Sequence, residues 1–200
     1  MTFPDFFAQV PSIVLRDRLA EFLGAAAGGL IEYGYADAVR LAGHSCPTVA
    51  GSYLLSHRAL RALYGDETPL RGEIAVDFRE TAAAGVSGVM AAVVGLLTGA
   101  AGAGGFKGLA GRFARRDLLR FAQELPGDIR FRRLDTGQSV TATLQLAQVP
   151  ADPRLPPLLQ RLLAGDDEPA TRELFASLWQ ERVRRILLDH FDDPRLVALA

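Results

Sequence analysis

Ile129-Arg130-Phe131-Arg132-Arg133-Leu134, then Asp135-Thr136-Gly137, then Ser139-Val140-Thr141-Ala142-Thr143-Leu144-Gln145-Leu146 carries the clearest structural signal in the chain. Two runs rich in apolar and β-branched residues flank a turn signal, which predicts an antiparallel hairpin. Upstream, Glu73-Ile74-Ala75-Val76-Asp77-Phe78 alternates as a half-buried strand does, with Ile74, Val76 and Phe78 on its apolar face. Strands and helical patterns do not alternate regularly enough for a doubly wound parallel sheet. The expected class is α+β: a single domain, mainly antiparallel sheet flanked by helices.

Outward from these strands, apolar residues recur at three- and four-residue intervals from about residue 5 to 23, which predicts a helix kinked or divided by Pro11. Leu30 to Tyr35 reads as a short strand, and Ala36 to Ala42 as a short helix stopped by Gly43. Pro47 suits the first turn of a helix, so one is expected from 47 to about 64, closed by Gly65-Asp66. An uncharged helix follows from about 83 to 98, then a glycine-rich loop over 99 to 111. Phe113 to Glu124 reads as a basic amphipathic helix. Leu155 to Leu163 and Thr171 to Phe191 complete the helical set.

The chain has 200 residues, enough for one full core, and its 49% apolar and 22% charged content is that of ordinary globular domains. A net charge of −1 without interleaved exposed aromatics argues against a nucleic-acid partner. A lone cysteine and an acidic rather than basic N-terminus point to a reducing, cytoplasmic setting without an export signal. Residues 81 to 106 carry no charge, but Gly85, Gly88, Gly95 and Gly99 among alanines predict a buried helix rather than a membrane span.

One segment carries pointed chemistry. In Gly43-His44-Ser45-Cys46-Pro47, His44 and Cys46 are a nitrogen and a sulfur donor suited to zinc and other late transition metals, two residues apart in a tight turn. Cys46 falls at or beside a helix N-cap, where unpaired N–H groups and the positive dipole end favour the thiolate, the ligating and nucleophilic form. The competing structural reading has His44 capping a turn and Cys46 as a small buried hydrophobe.

Gly43-His44-Ser45-Cys46-Pro47, with Gly51 after it, resembles the Gly-His-x-Cys-Pro motif of the FmdE family, named for a component of formylmethanofuran dehydrogenase. The order of an acidic strand around Asp77 to Glu80, a small-residue helix ending in Thr98-Gly99-Ala100-Ala101-Gly102, and Phe106-Lys107-Gly108 is similar to that domain over roughly residues 5 to 146. The resemblance implies an FmdE-like α+β domain with a core at about 5–146, a metal bound through His44 and Cys46, and a homodimer; residues 154–191 form a helical C-terminal extension. Where members carry a further cysteine, this chain has Glu80, Thr81 and Ser87, so Asp77, Glu80, water or a group from another protomer is left to complete the shell. A carboxylate there would favour an open site over a closed thiolate one. The alternative pairs both acids with Arg71 or Arg79.

Three functional readings follow from these residues. The first is a metal-binding accessory or sensor protein, with zinc as the expected ion. The second is haem binding, since Cys46-Pro47 is the dipeptide of Cys-Pro haem motifs and Cys46 or His44 would be the axial ligand. The third is a metal- or thiol-dependent enzyme, for which no base can be placed. Gly104, Gly105 and Lys107 are candidate cofactor contacts, with Arg112, Arg115 and Arg116 adding positive charge, although the loop matches neither a P-loop nor a dinucleotide fingerprint. His57 is expected at a surface or interface, His190 against the negative end of the last helix, Trp179 in the core or a dimer interface, and Arg130, Arg132 and Arg133 on a solvated face.

Overall fold

The computed structural model describes residues 2–200. Among them are six α-helices and eight strands in two mixed, mostly antiparallel sheets. The α+β class expected from the hairpin is what the chain adopts. Among the described residues no helix is long and apolar enough to cross a membrane.

The smaller sheet has the order β2-β1-β3: β1 (Ile13–Asp17) runs antiparallel to β2 (Leu30–Tyr33) and parallel to the short β3 (Leu70–Arg71). The larger sheet has the order β5-β4-β6-β7-β8. It is built from β4 (Ile74–Phe78), β5 (Leu119–Arg120), β6 (Ile129–Arg133), β7 (Ser139–Leu144) and β8 (Val197–Leu199). Only the β4–β5 pair is parallel in it. The hairpin forms as its turn signal predicts, with Phe131 opposite Val140.

The central element is α3 (Pro47–Tyr64), which packs on β7 and on α4 (Ser87–Thr98). It is buried nearly all round: Val49, Ala50, Tyr53, Leu54, Leu55, Ala59 and Leu60 have no exposed surface. Each such Leu contributes about 1.5–3 kcal/mol. Its buried hydroxyls turn inward without penalty, because Ser52 donates to the Thr48 carbonyl and Ser56 to that of Ser52. Gly51 allows the helix to meet the sheet, since a Cβ there would come within 2.6 Å of Leu144. A short α2 (Tyr35–Ala42) precedes α3 and ends at Gly43, whose φ of 74° is the left-handed cap that glycine provides.

Several elements differ from expectation. The helix read over 5 to 23 is a 3₁₀ turn (Asp5–Gln9), strand β1 and a one-turn helix α1 (Arg18–Phe22). Two periodicities on either side of Pro11 merge into one in the sequence, while β1 itself alternates, with Ile13, Leu15 and Asp17 inward. Phe113 to Glu124 is not helical: Phe113, Asp117 and Ala122 have φ of 62°, 61° and 55°, and backbone groups bond across the fold, as in Val76 N–H to Leu118 O. The uncharged helix starts at Ser87, later than predicted. The last helix is α6 (Pro169–Arg184), followed by a π-helical turn over Arg185–Asp189. It packs on α5 (Leu155–Leu163). Val183, Ile186, Leu187, Leu196 and Val197 belong to the main core, and β8 joins the main sheet, so the C-terminal region is structurally built in.

Strand β4 is buried on both faces rather than one. Asp77, expected on an outer face, has no exposed surface and lies opposite Arg120 on β5 and Arg130 on β6. Arg133 also departs from the solvated face expected for the hairpin arginines: it is 6% exposed, lies over the Tyr64 ring at 4.1 Å and pairs with Glu67 and Asp135.

Candidate metal and small-molecule site

The Gly43–Pro47 segment is a tight link between α2 and α3, and its middle residue is its anchor. The Ser45 hydroxyl bonds to the buried Tyr35 hydroxyl at 2.9 Å and donates to Gln180 Oε1 at 2.9 Å. Its carbonyl accepts from Trp179 Nε1 at 3.0 Å and Gln180 Nε2 at 3.3 Å. Burial, only partly offset by the Ser45 bond, holds the Tyr35 phenol well above its ordinary range, so it stays neutral. The sequence assigns Ser45 and Gln180 no role. Trp179, expected in the core or a dimer interface, is half-buried at the site itself.

With Ser45 pinned, its neighbours are presented to one cavity. The N-cap of α3 is Cys46, whose Sγ accepts from Val49 N–H at 3.5 Å, with Pro47 in the first turn as predicted. His44 is exposed, and its Nδ1 lies 3.0 Å from the Ala42 carbonyl. A carbonyl only accepts, so Nδ1 is the donor, and in the neutral imidazole this tautomer leaves the lone pair on Nε2, as a ligating histidine needs. The cavity, about 490 Å³, is lined by His44, Cys46, Thr48, Val86, Val89, Leu146, Trp179 and Arg182.

A second cavity of about 370 Å³ shares Val86 and Leu146 with the first and is walled by Phe78, Met90, Ile129 and Leu144, with Glu80 and Asp128 also on its lining. Val86 and Val89, 48% and 40% exposed at the start of α4, are the ridge on which the apolar surface faces outward. Arg182 donates to the Val149 and Leu146 carbonyls at 2.8 and 3.1 Å and makes no ion pair among the described residues. Burial first, then the nearby Arg185, lowers its pKa from the ordinary arginine value.

The other predicted site residues fall elsewhere. Both Asp77 oxygens are taken: Arg120 Nε donates to Oδ1 at 2.8 Å, and Arg130 Nε and Nη2 donate to Oδ2 at 3.0 and 2.6 Å. The acid thus pairs with arginines, though not with Arg71 or Arg79, and its oxygens are not available to an ion beside Cys46. Glu80 is exposed and lies 3.5 Å from Arg79, on the neighbouring cavity. No group of three or more His, Cys, Asp or Glu suited to one ion comes together among the described residues. The predicted pair has both members on one cavity wall; the predicted third ligands are not with it.

Lys107 and Gly104 are exposed, and a Cβ on Gly105 would come within 2.8 Å of Arg116 Cα, so its close approach is to its own chain. None of the three lines the His44–Cys46 cavity. His57 is half-buried, its Nε2 at 3.2 Å from the Ser12 carbonyl and its ring against Phe191, on a different part of α3. His190 Nδ1 lies 3.0 Å from Asp193, an acid just past the helix rather than the helix end itself. The missed cavity residues, Val86, Val89 and Arg182, belong to elements far apart in sequence; the single hint was the three-residue spacing of Trp179 and Arg182 on one helix.

Comparison with family models, curated proteins and solved structures finds no match to this chain. The likeness to the FmdE family therefore rests on the Gly43–Pro47 motif and the order of the segments that follow it.

Proposed function

We propose that this is a transition-metal-binding accessory or sensor protein of FmdE-like type, in which His44 Nε2 and Cys46 Sγ hold one ion, zinc being the expected occupant. The observation that carries the reading is the His44 Nδ1 bond to Ala42 O, which leaves Nε2 free on the same cavity wall as a thiol at a helix N-terminus. The donor set fits an open site. Two protein donors are available, and the remaining positions fall to water or to a small molecule in the adjoining apolar cavity. When bound, an ion of this kind polarises an oxygen ligand or lowers the pKa of bound water. The chain's own part is to orient the imidazole through Ala42, to hold Cys46 through the Ser45 anchor, and to offer Arg182 to an anionic group.

The test is elemental analysis and absorption spectroscopy of protein purified without added metal, with chelator competition on wild type, His44→Ala and Cys46→Ser. Stoichiometric zinc in wild type, lost in both variants with an unchanged circular dichroism spectrum, is the expected result; a core of this size does not need the ion to fold. Full occupancy in both variants rejects the site. The apolar walls and the carboxylate-free Arg182 favour one second reading, haem with Cys46 or His44 as axial ligand, and a Soret band would select it.

A further inference from the structure

On another part of the molecule, α1, β3 and the loop before β5 enclose a cleft of about 460 Å³ lined by Arg18, Arg71, Arg112 and Arg115, with Glu73 and Asp135 among them. It shares no residue with the cavity of His44 and Cys46. Its cations are only partly matched by acids. Arg71 and Arg115 both pair with one carboxylate, Asp17, at 2.8 and 2.6 Å, and Arg18 pairs with Glu73 at 3.1 Å. Asp135 shares Arg133 with Glu67. The five arginines, counting Arg133, face four carboxylates, which leaves one positive charge in excess. That charge is assigned to Arg112, which makes no ion pair among the described residues and lies over the Phe113 ring at 4.8 Å.

The backbone that presents Arg112 is held against its ordinary preference. Ala110 and Phe113 have φ of 46° and 62°, a left-handed conformation that side chains other than glycine rarely adopt, and a Leu109–Arg112 bridge closes the turn. Such outliers persist where the surrounding structure over-determines them, and they gather at ligand clamps. On the same loop Arg115 is 8% exposed, and its Nη1 occupies the place a Cβ on Gly72 would take, 0.8 Å away, so glycine at φ 83° makes room for it.

We propose that this cleft is a phosphate-binding site, with Arg112 and Arg18 as the outer donors and Arg115 as the inner one. Guanidinium forks suit phosphate oxygens geometrically, and a phosphate group brings enough acceptors for three arginines, one from α1 and two from the loop before β5, which one more carboxylate would not. The excess positive charge has the sign that favours an anionic ligand of this kind.

The test is calorimetric titration of the full chain at low salt with inorganic phosphate and with phenyl phosphate. It uses wild type, Arg112→Ala, Arg18→Ala, and Arg116→Ala as a control on the same loop. Arg116 is exposed, pairs with Asp117 and does not line the cleft. Expected is saturable binding with Kd below about 1 mM, weakened about tenfold or more in the Arg112 and Arg18 variants and unchanged in the Arg116 variant. If phenyl phosphate binds tighter than inorganic phosphate, the ligand is an ester; equal affinity assigns recognition to the phosphate group alone. No saturation with either probe up to about 10 mM overturns the site, as does equal weakening in the Arg116 variant, which would report diffuse surface charge.

Discussion

Asp17→Asn isolates one buried charge from the rest of the fold. Asp17 is 3% exposed, caps α1 by accepting from the Leu19 and Ala20 N–H groups at 3.0 and 3.2 Å, and receives Arg71 and Arg115. Asparagine is as good a cap, so the roughly 1 kcal/mol of capping is kept. What is lost is the compensation of two guanidinia, and the two differ. Arg71 retains the Leu96 carbonyl through Nε and Nη2 at 3.1 and 3.0 Å, whereas Arg115, with its side chain 10% exposed, has Asp17 as its ion-pair partner. One buried, unmatched guanidinium sets the cost at about 3 kcal/mol, the low end for a broken buried pair. For a chain of this size that is about 6–12 °C in Tm. Urea titration should show the midpoint falling with the slope unchanged. Adding Arg115→Met should recover most of the loss, because an apolar replacement leaves no buried charge. The pH dependence has a definite sign. Burial alone would raise the Asp17 pKa, but the Arg71 bond, the Ala20 N–H and the charges of Arg115 and Arg71 outweigh it and hold it below 3.8. Its stabilisation is therefore complete above about pH 4 and lost as pH falls through the lower folded value, so the gap between wild type and variant should close there. A cost under about 1 kcal/mol, or no recovery in the double variant, would contradict the assignment of that cost to Arg115.

Asp77→Asn should cost about 2–4 kcal/mol by urea titration while leaving zinc affinity unchanged in chelator competition, since its oxygens serve Arg120 and Arg130; weakened affinity at full stability would return it to the ligand set. His57 donates through Nε2 to Ser12, which leaves a buried Nδ1 without a partner, and burial above all lowers its pKa. The unfolded chain then binds the extra proton first, so stability should fall as pH drops through about 6.5. His57→Phe should flatten that slope in a thermal melt series from about pH 7.5 to 5; an unchanged slope assigns it to other groups. For the homodimer that the resemblance implies, Leu159, Leu163 and Leu174, 40%, 80% and 40% exposed on α5 and α6, are the candidate contact residues. Light scattering at micromolar concentration should give twice the chain mass, reduced to one by Leu163→Glu.

The features legible in the chain alone are local ones. The Asp135-Thr136-Gly137 turn, the strand from Ile74 to Phe78 and the Gly43 and Pro47 punctuation each depend on a few adjacent residues, and each formed where expected, although the alternation did not foretell that β4 is buried on both faces. The same locality placed Cys46 at the α3 N-cap beside His44, because proline and glycine constrain the backbone whatever packs around them. The β-strand β1, the pairing of β5 and the loss of the expected helix at Phe113 to Glu124 were decided by partners far along the chain, which satisfy backbone groups that an isolated helix would satisfy within itself. Asp77 shows the same division at one residue: alternation put it on the face away from Ile74, but only the strands on either side brought Arg120 and Arg130 to its two oxygens. The cavity wall of Val86, Val89, Trp179 and Arg182 likewise exists only after α4 and α6 have packed, since no spacing in the sequence encodes which helix faces meet.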